Sequence, residues 1–525
     1  MDKVFRLGRT VSHFKTAQLG AKFQYRLVKF CYDKHIFPPP IKKSPKVNFL
    51  QFLPSNCSSS VYKTGKFSFL NKEKNFSLAV DWNFNEFGQL WNIRLNSLEY
   101  LSHLDTSVDD GLYLIRDFIK EIKKNRTRYD SHCASLRIIN IIKFCSRHSI
   151  DLPEINAFVF SQALYVRKNS EIHLRNNHLL ENGFALLFAS HFFEHEKLFH
   201  FSSKILLNSL EKQILPDGAH FELCPMYHLW TTNRLLECLQ ILKKSSFNVK
   251  PVLDIVEEKV SVMLGWIKHM QFGNGSLPAV NDSCEGYGPG INAILKIAND
   301  IGVKASGHAL KESGFRKFRN RNFEMLVDVN GLTPPEAPGH SHADTFHFIL
   351  HVFGDPFIID TGVSTYEPSK LRIHERSTLA HNTVVVNEQN QSEIYGSFRA
   401  GRRAKVNLIK QTPNELEASH NGYQHIGVRH TRKILFEQDR IVITDKITGK
   451  LPSKCSAYLH IDKKNRLIKK DDSLFSKFVK IEFRNSSAIE IKENYYAVAF
   501  GKQIPCYVVK IDFSGELVTT LSLIK

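Results

Sequence analysis

The hydrophobic period of this chain changes once, between Gly302 and Arg321. From about Ser107 to Met270, apolar residues recur three and four apart, as in GLYLIRDFIKEIKKN (Gly111 to Asn125) and SLRIINIIKFCSRH (Ser135 to His148). FSQALYVRKN, NGFALLFASHFFEHEKLF, SSKILLNSLEKQI, TTNRLLECLQILKKS and LDIVEEKVSVMLGWIKHM continue the pattern with short breaks. That spacing puts the apolar side chains on one face of a helix, so the segments predict amphipathic helices. Short connections predict antiparallel pairs stacked around one core. From about Phe323 the period is two. EMLVDV, HFILHV, PFIIDTG, NTVVVNE, RKILFEQDRIVITDKI, SAYLHID, YYAVAFG and CYVVKIDF are β-branched or aromatic runs between turn residues. Short strands in series predict an antiparallel β-sandwich. The fold class is therefore α+β multidomain: an N-terminal extension, partly helical, over 1–80, a helical domain over 81–305 and a β-sandwich over 320–525. In the first stretch PPPIKKSPK predicts a turn-rich linker. DWNFNEFGQLWNIRLNSLEYLSHL, which follows it, predicts a helix with an aromatic lead-in.

Composition narrows the class. No apolar run reaches the roughly 18 residues of a membrane helix, so no integral membrane segment is expected. The basic N-terminus lacks an apolar stretch of signal-peptide type. Nine cysteines without a CxxC predict reduced thiols. Both point to the cytoplasm, with the periplasm or cell envelope as the alternative. The formal charge of +19 favours a polyanionic partner, although a chain rich in Lys, Asn, Ile and Phe reaches such a surplus by composition alone. No nucleic-acid-binding motif is present, so no nucleic acid partner is expected. Nothing in the sequence speaks to oligomeric state.

Four clusters carry chemistry. In GHSHADTFHFIL (Gly339 to Leu350), a strand puts His340, His342 and Asp344 on one face and His347 on the other. Asp360 closes the run FIID, and His381 lies in RSTLAHNTVVV. His342, Asp360 and His381 offer two imidazoles and a carboxylate, a zinc-type set. With 24 histidines in the chain, spacing alone does not separate that set from coincidence. RNNHLLENG brings Asn177, His178 and Glu181 together, with His178 and Glu181 three apart on one helix face; a helix N-cap with a solvated turn explains it equally. LPDGAHFELCPMYHLW holds His220 and Glu222 and places Tyr227 after Pro225 at a helix start, where a Tyr is as easily a packing residue. LPAVNDSCEG sets Asn281 and Asp282 in a loop.

The order RNNHLLENG, DGAHFELCPMYH, LPAVNDS, GHSHAD, FIIDTG, RSTLAHNTVVVNEQNQSEIYGSFRAGRRA resembles the heparinase II/III-like family of polysaccharide lyases, over roughly Asp81 to Lys525. The opening RLGRTVSHFK…YRLVKF looks like members that accompany bacterial surface-polysaccharide synthesis. The resemblance implies an N-terminal α/α-toroid followed by a C-terminal antiparallel β-sandwich. It implies β-elimination at a uronic acid of an acidic polysaccharide. Asn177 and His178 would hold the carboxylate. Tyr227 would act as acid, and as base for one C5 configuration, with His340 the other base. Glu181, His220, Glu222 and Asn281 would orient these groups or the sugar, and Arg399, Arg402 and Arg403 would contact the polyanion. His342, Asp360 and His381 would hold a structural Zn2+ that supports His340, leaving His347 and His351 to packing. The competing classes are a glycoside hydrolase, which normally needs two facing carboxylates, and a non-catalytic carbohydrate-binding protein of a polysaccharide assembly system.

Overall fold

The computed structural model describes residues 6, 8–10, 12–13, 16–33, 45–53, 60–76, 79–125, 130–335, 337–450 and 454–524. Most of the expected linker PPPIKKSPK lies outside them. The helices are α1 (Thr16–Asp33), α2 (Gln89–Ser97), α3 (Val108–Asn125), α4 (Ser131–His148), α5 (Pro153–Lys168), α6 (Asn177–Phe192), α7 (Glu196–Gln213), α8 (Pro225–Leu242), α9 (Lys250–Met270), α10 (Ile291–Asp300) and α11 (Lys370–Glu375). A small antiparallel sheet not foreseen from the sequence, β1 (Val61–Lys63), β2 (Lys66–Phe69) and β3 (Lys72–Asn75), precedes α2. NGFALLFASHFFEHEKLF is two helices, not one. Glu194 takes φ 47° between α6 and α7, and the His195 side chain caps α7 by accepting from Leu198 N–H.

Local chemistry sets the helix starts that matter for function. Asp130 accepts from Cys133 N–H at the head of α4, and Asn176 accepts from His178 N–H at the head of α6. Pro225 occupies the first turn of α8, where its missing N–H costs nothing. His132, Asn177, His178 and Tyr227 therefore all stand in first turns.

The second half is β4 (Phe315–Arg319), β5 (Phe323–Asp328), β6 (Phe348–Val352), β7 (Asp355–Ile358), β8 (Val384–Val386), β9 (Ile394–Tyr395), β10 (Arg399–Ala400), β11 (Val406–Thr412), β12 (Glu415–His420), β13 (Val428–Phe436), β14 (Arg440–Gly449), β15 (Cys455–Asp462), β16 (Ile468–Lys470), β17 (Ser473–Phe475), β18 (Val479–Ala499) and β19 (Lys502–Leu523). Two separate stacked sheets were expected. Instead, 14 strands form one continuous antiparallel sheet, with β9 and β10 apart as a hairpin. The reason is β19. One of its edges carries β18. Its other edge pairs first with β15, through Cys506–Phe513, and then with β14, through Glu516–Ser522. Gly515, at φ 73°, separates the two runs, so two leaves diverge from one strand. The sheet curls until Phe318 of β4 lies 5.5 Å from Phe436 of β13, and both leaves bury their inner faces in a common core.

A smaller apolar cluster joins the halves. Trp266 and Met270 of α9 pack with Phe315, Leu326 and Ile349 of the sheet. Each buried side chain of that size contributes about 1.5–3 kcal/mol, so this cluster fixes how the helical ends face the sheet. The cysteines whose side chains are described are free thiols, and no described helix is long and apolar enough to cross a membrane.

Candidate active site

Side chains from α4, α6, α8, the 281–283 loop and the 339–347 segment form one chain of contacts where the two halves meet. The rings of His132 and His178 stack at 4.0 Å and 14°. His178 Nδ1 lies 3.3 Å from Glu171 Oε1. Burial works against a charge on His178, but Glu171 outweighs it and raises the imidazole above its ordinary value, whereas burial holds His132 well below. Next to His178, the Asn177 N–H donates to Glu222 Oε1 at 3.3 Å, and Asn177 Oδ1 is buried without a hydrogen-bond partner. Glu222 is buried, which raises its carboxyl, and its Oε2 lies 3.9 Å from His340 Nε2.

His340 and Tyr227 sit ring against ring, 4.2 Å apart. Burial pushes the Tyr227 phenol well above its usual range, so it is protonated at neutral pH. Its oxygen is 3.4 Å from that of Tyr366. Behind His340 stands Asp282. Its Oδ2 is 2.9 Å from His340 Nδ1, its Oδ1 is 2.8 Å from His342 Nε2, and Arg372 donates to both carboxylate oxygens. Burial alone would raise Asp282, but Arg372 and the two histidine contacts hold it well below the usual carboxylate range. An ionised Asp282 fixes His340 with its proton on Nδ1 and its lone pair on Nε2, facing the Tyr227–Glu222 gap. Phe398, in the turn between β9 and β10, lies 5.8 Å from the His340 ring and closes that side.

Other expected site residues are placed differently. Asn281, expected to bind substrate, is engaged with the backbone. It is buried, its Nδ2 donates to Leu223 O at 2.9 Å and its Oδ1 accepts from His342 N–H at 3.0 Å, so it ties two backbone segments together. Glu181 accepts from Arg234 Nε at 3.0 Å, and its charge is spent on that guanidinium. His220 is buried below the site beside Gln213, and burial lowers it to about 3. Arg399 is exposed on the hairpin, and Arg402 N–H donates to Glu393 Oε2 at 3.1 Å. Arg403 donates to Pro335 O.

The metal-type donors differ by one member from the expected set. Asp360 Oδ2 is 3.0 Å from His381 Nδ1 and 2.9 Å from His347 Nε2, and the three residues are buried with donor atoms within 4.8 Å of one another. His347 is therefore not a simple packing residue; the tight Asp344–His347 turn reverses its facing from that of a continuous strand. His342, expected in the set, spends Nε2 on Asp282. Its ring is 5.3 Å from that of His381, and its Nδ1 is buried without a partner. His381 Nε2 is likewise buried without a hydrogen-bond partner. Two imidazoles held against one buried carboxylate are a donor set that suits zinc. His351 stacks on Phe272 at 3.8 Å and does pack.

Tyr366, Arg372, His132 and Glu171 belong to the site and were not singled out from the sequence. Their signals were faint: Glu171 precedes RNNH by four residues, and Arg372 lies in LRIHER just before RSTLAH.

Known proteins resemble this chain in sequence and fold. The family model "Heparinase II/III N-terminus" matches residues 143–294, and "Heparinase II/III-like, C-terminal" matches residues 303–504. A heparin-sulfate lyase of Pedobacter heparinus is 24% identical over 270 residues, which is 47% of this chain and 39% of that protein. One from Bacteroides stercoris is 24% identical over 329 residues, 57% of this chain and 48% of that protein. The chain thus spans less than half the length of these curated relatives. A solved heparinase III superposes with TM-score 0.69 at 16% identity, covering 86% of this chain and 80% of the other, which is a likeness of fold. The two matched models lie in order along both halves of the molecule, and the chain belongs to the heparinase II/III-like family.

Proposed function

We propose that this chain is a polysaccharide lyase acting on a uronic-acid-containing acidic polysaccharide by β-elimination. We read its helical half as an α/α-toroid and its curled sheet as the family's sandwich. The observation that carries the reaction is the pairing of His340, its lone pair turned out by Asp282, with the protonated Tyr227 phenol 4.2 Å away, ring to ring. A base and an acid stand side by side, as elimination across C5 and C4 requires.

In this reading His178, whose charged form Glu171 favours, and the Asn177 amide take the uronate carboxylate, which makes the C5 proton removable. His340 Nε2 accepts that proton. The C5–H electron pair becomes the C4=C5 double bond, the C4–O bond breaks, and Tyr227 gives its proton to the departing oxygen. The second role expected for Tyr227, as base, is opposed here by burial, which holds its proton on; the hydrogen-bond contact of its oxygen is with the Tyr366 hydroxyl. Asp360, His347 and His381 are suited to hold zinc. The metal would supply a structural cross-link under the segment that presents His340.

The test is ultraviolet absorbance during incubation with a panel of acidic polysaccharides, wild type beside Tyr227→Phe. A rise that the mutant lacks is expected. Metal-loaded protein inert on every polyuronide would sink the reading, and new saturated reducing ends would move it to hydrolysis.

A further inference from the structure

Helix α1 is held to the rest of the molecule through Gln18 and Tyr25: Gln18 is buried and donates to His173 O at 3.1 Å, and the Tyr25 ring lies 4.6 Å from that of His173. Its outer side carries Phe23, Leu27 and Phe30, which are 73%, 53% and 53% exposed. Those positions are i, i+4 and i+7, so they form one ridge on the face opposite Gln18 and Tyr25. Lys22 and Arg26, both exposed, run along one side of the ridge, between it and the Gln18 face, and neither has an acidic partner among the described residues. Ahead of the helix, Arg9 and Arg6 are clamped on Glu393, with Arg9 Nε 2.9 Å from its carboxylate. The helix is thus fastened at its polar face to the 173 region and at its approach to the β9–β10 hairpin, with its apolar ridge held out to solvent.

From this geometry we infer that α1 docks the protein on an anionic lipid surface, lying in the plane of the membrane. An apolar ridge with unpaired cations along one side is the pattern of an interfacial helix: the ridge enters the acyl boundary and the cations meet lipid phosphates. A second copy of the chain fits less well. Pairing two such ridges brings Lys22 and Arg26 of each against those of the other, in a molecule already at +19. The site chemistry of the previous subsection is not needed for the inference, but its place is set by it. His173 lies two residues from Glu171, so docking through α1 puts the His132–His178 end of the cleft beside the lipid surface.

The test is cosedimentation of the full chain with vesicles of phosphatidylglycerol and phosphatidylcholine, against pure phosphatidylcholine. Wild type is expected to pellet with the anionic vesicles. The Phe23→Ser, Leu27→Ser, Phe30→Ser triple variant should lose about tenfold or more in partition, with a thermal unfolding midpoint within a few degrees of wild type, since those side chains are more than half exposed. The Lys22→Glu, Arg26→Glu variant should lose the preference for anionic vesicles. A Phe23→Trp variant should show blue-shifted emission on adding them. Because the triple variant keeps the net charge, equal pelleting by it would mean adsorption by overall charge and would overturn the inference. So would wild type left in the supernatant, or a dimer in sedimentation velocity that the triple variant abolishes.

Discussion

Glu222 Oε2 stands 3.9 Å from His340 Nε2, while Glu222 Oε1 accepts the Asn177 N–H. One carboxyl therefore spans the seam between the helical half, which would bind the uronate carboxylate, and the sheet half, which would take the C5 proton. Replacing it by Gln keeps the acceptor for Asn177 and removes the group that titrates beside the base. Glu222→Gln is expected to fold normally, keep its KM within a few-fold, and lose about 10–100-fold in kcat. Initial rates over a substrate series check this, and a variant with wild-type kcat would remove Glu222 from the chemistry.

Asp282 is predicted to matter more. It touches His340, His342 and Arg372, so Asp282→Asn disturbs the tautomer of the base and leaves a buried guanidinium without its counter-charge. A loss of about 10²–10⁴ in kcat is expected, together with destabilisation of about 3–5 kcal/mol. Denaturant titration separates the two effects. Stability near wild type with a full kcat loss would assign Asp282 to catalysis alone.

The His178 imidazole supplies a pH dependence. Glu171 raises its folded pKa above the ordinary value near 6.5, so the cation persists to higher pH than in the unfolded chain. Its pairing with Glu171 is then fully present below the unfolded pKa and is lost as pH rises through the folded one. Affinity for an acidic saccharide should weaken on the alkaline side of that shifted value. Binding of a uronate oligosaccharide to Tyr227→Phe, followed against pH, measures this. His178→Gln should bind weakly with no such fall. A fall that survives in His178→Gln would place the titrating group elsewhere.

The period change at 302–321 made the helices and strands legible, because 3.6 and 2 are local signatures. What β19 does was not legible. Whether CYVVKIDF ends a strand or continues past Gly515 into a second leaf is decided by partners far away in sequence. The same limit applied to the site. Tyr227, Asn177 and His178 lie in compact motifs at helix starts and could be named. Arg372 reaches Asp282 across 90 residues, and only folding pairs them. His347 was assigned to the wrong face because alternation assumes a continuous strand, whereas its N–H closes a turn on Asp344 O. Sequence likewise does not tell that the amide of the loop residue Asn281 bonds Leu223 O and His342 N–H, since both partners are about 60 residues away.

Gly218 supports the turn that leads to His220 and Glu222. It has φ 88°, and a Cβ there would meet the Val262 carbonyl oxygen of α9. Gly218→Ala meets both penalties, a left-handed backbone and a backbone clash, so a loss of about 2–4 kcal/mol is expected. Thermal unfolding reads it, and a shift of less than a degree would mean the turn relaxes freely.

Metal binding distinguishes the donor sets. Asp360 lies between His347 and His381, and His342 offers only Nδ1 because Asp282 holds its other nitrogen. Zinc held by His347, Asp360 and His381 predicts a higher unfolding temperature with metal than after chelation, and strong loss of zinc in Asp360→Ala, His381→Ala and His347→Ala. His342→Ala should retain some zinc through the other three. If His347→Ala keeps full zinc and His342→Ala loses it, the ligands are His342, Asp360 and His381, and the metal would then connect through His342 and Asp282 to His340. Metal analysis of the four purified variants, before and after chelator, decides between these outcomes without reference to turnover.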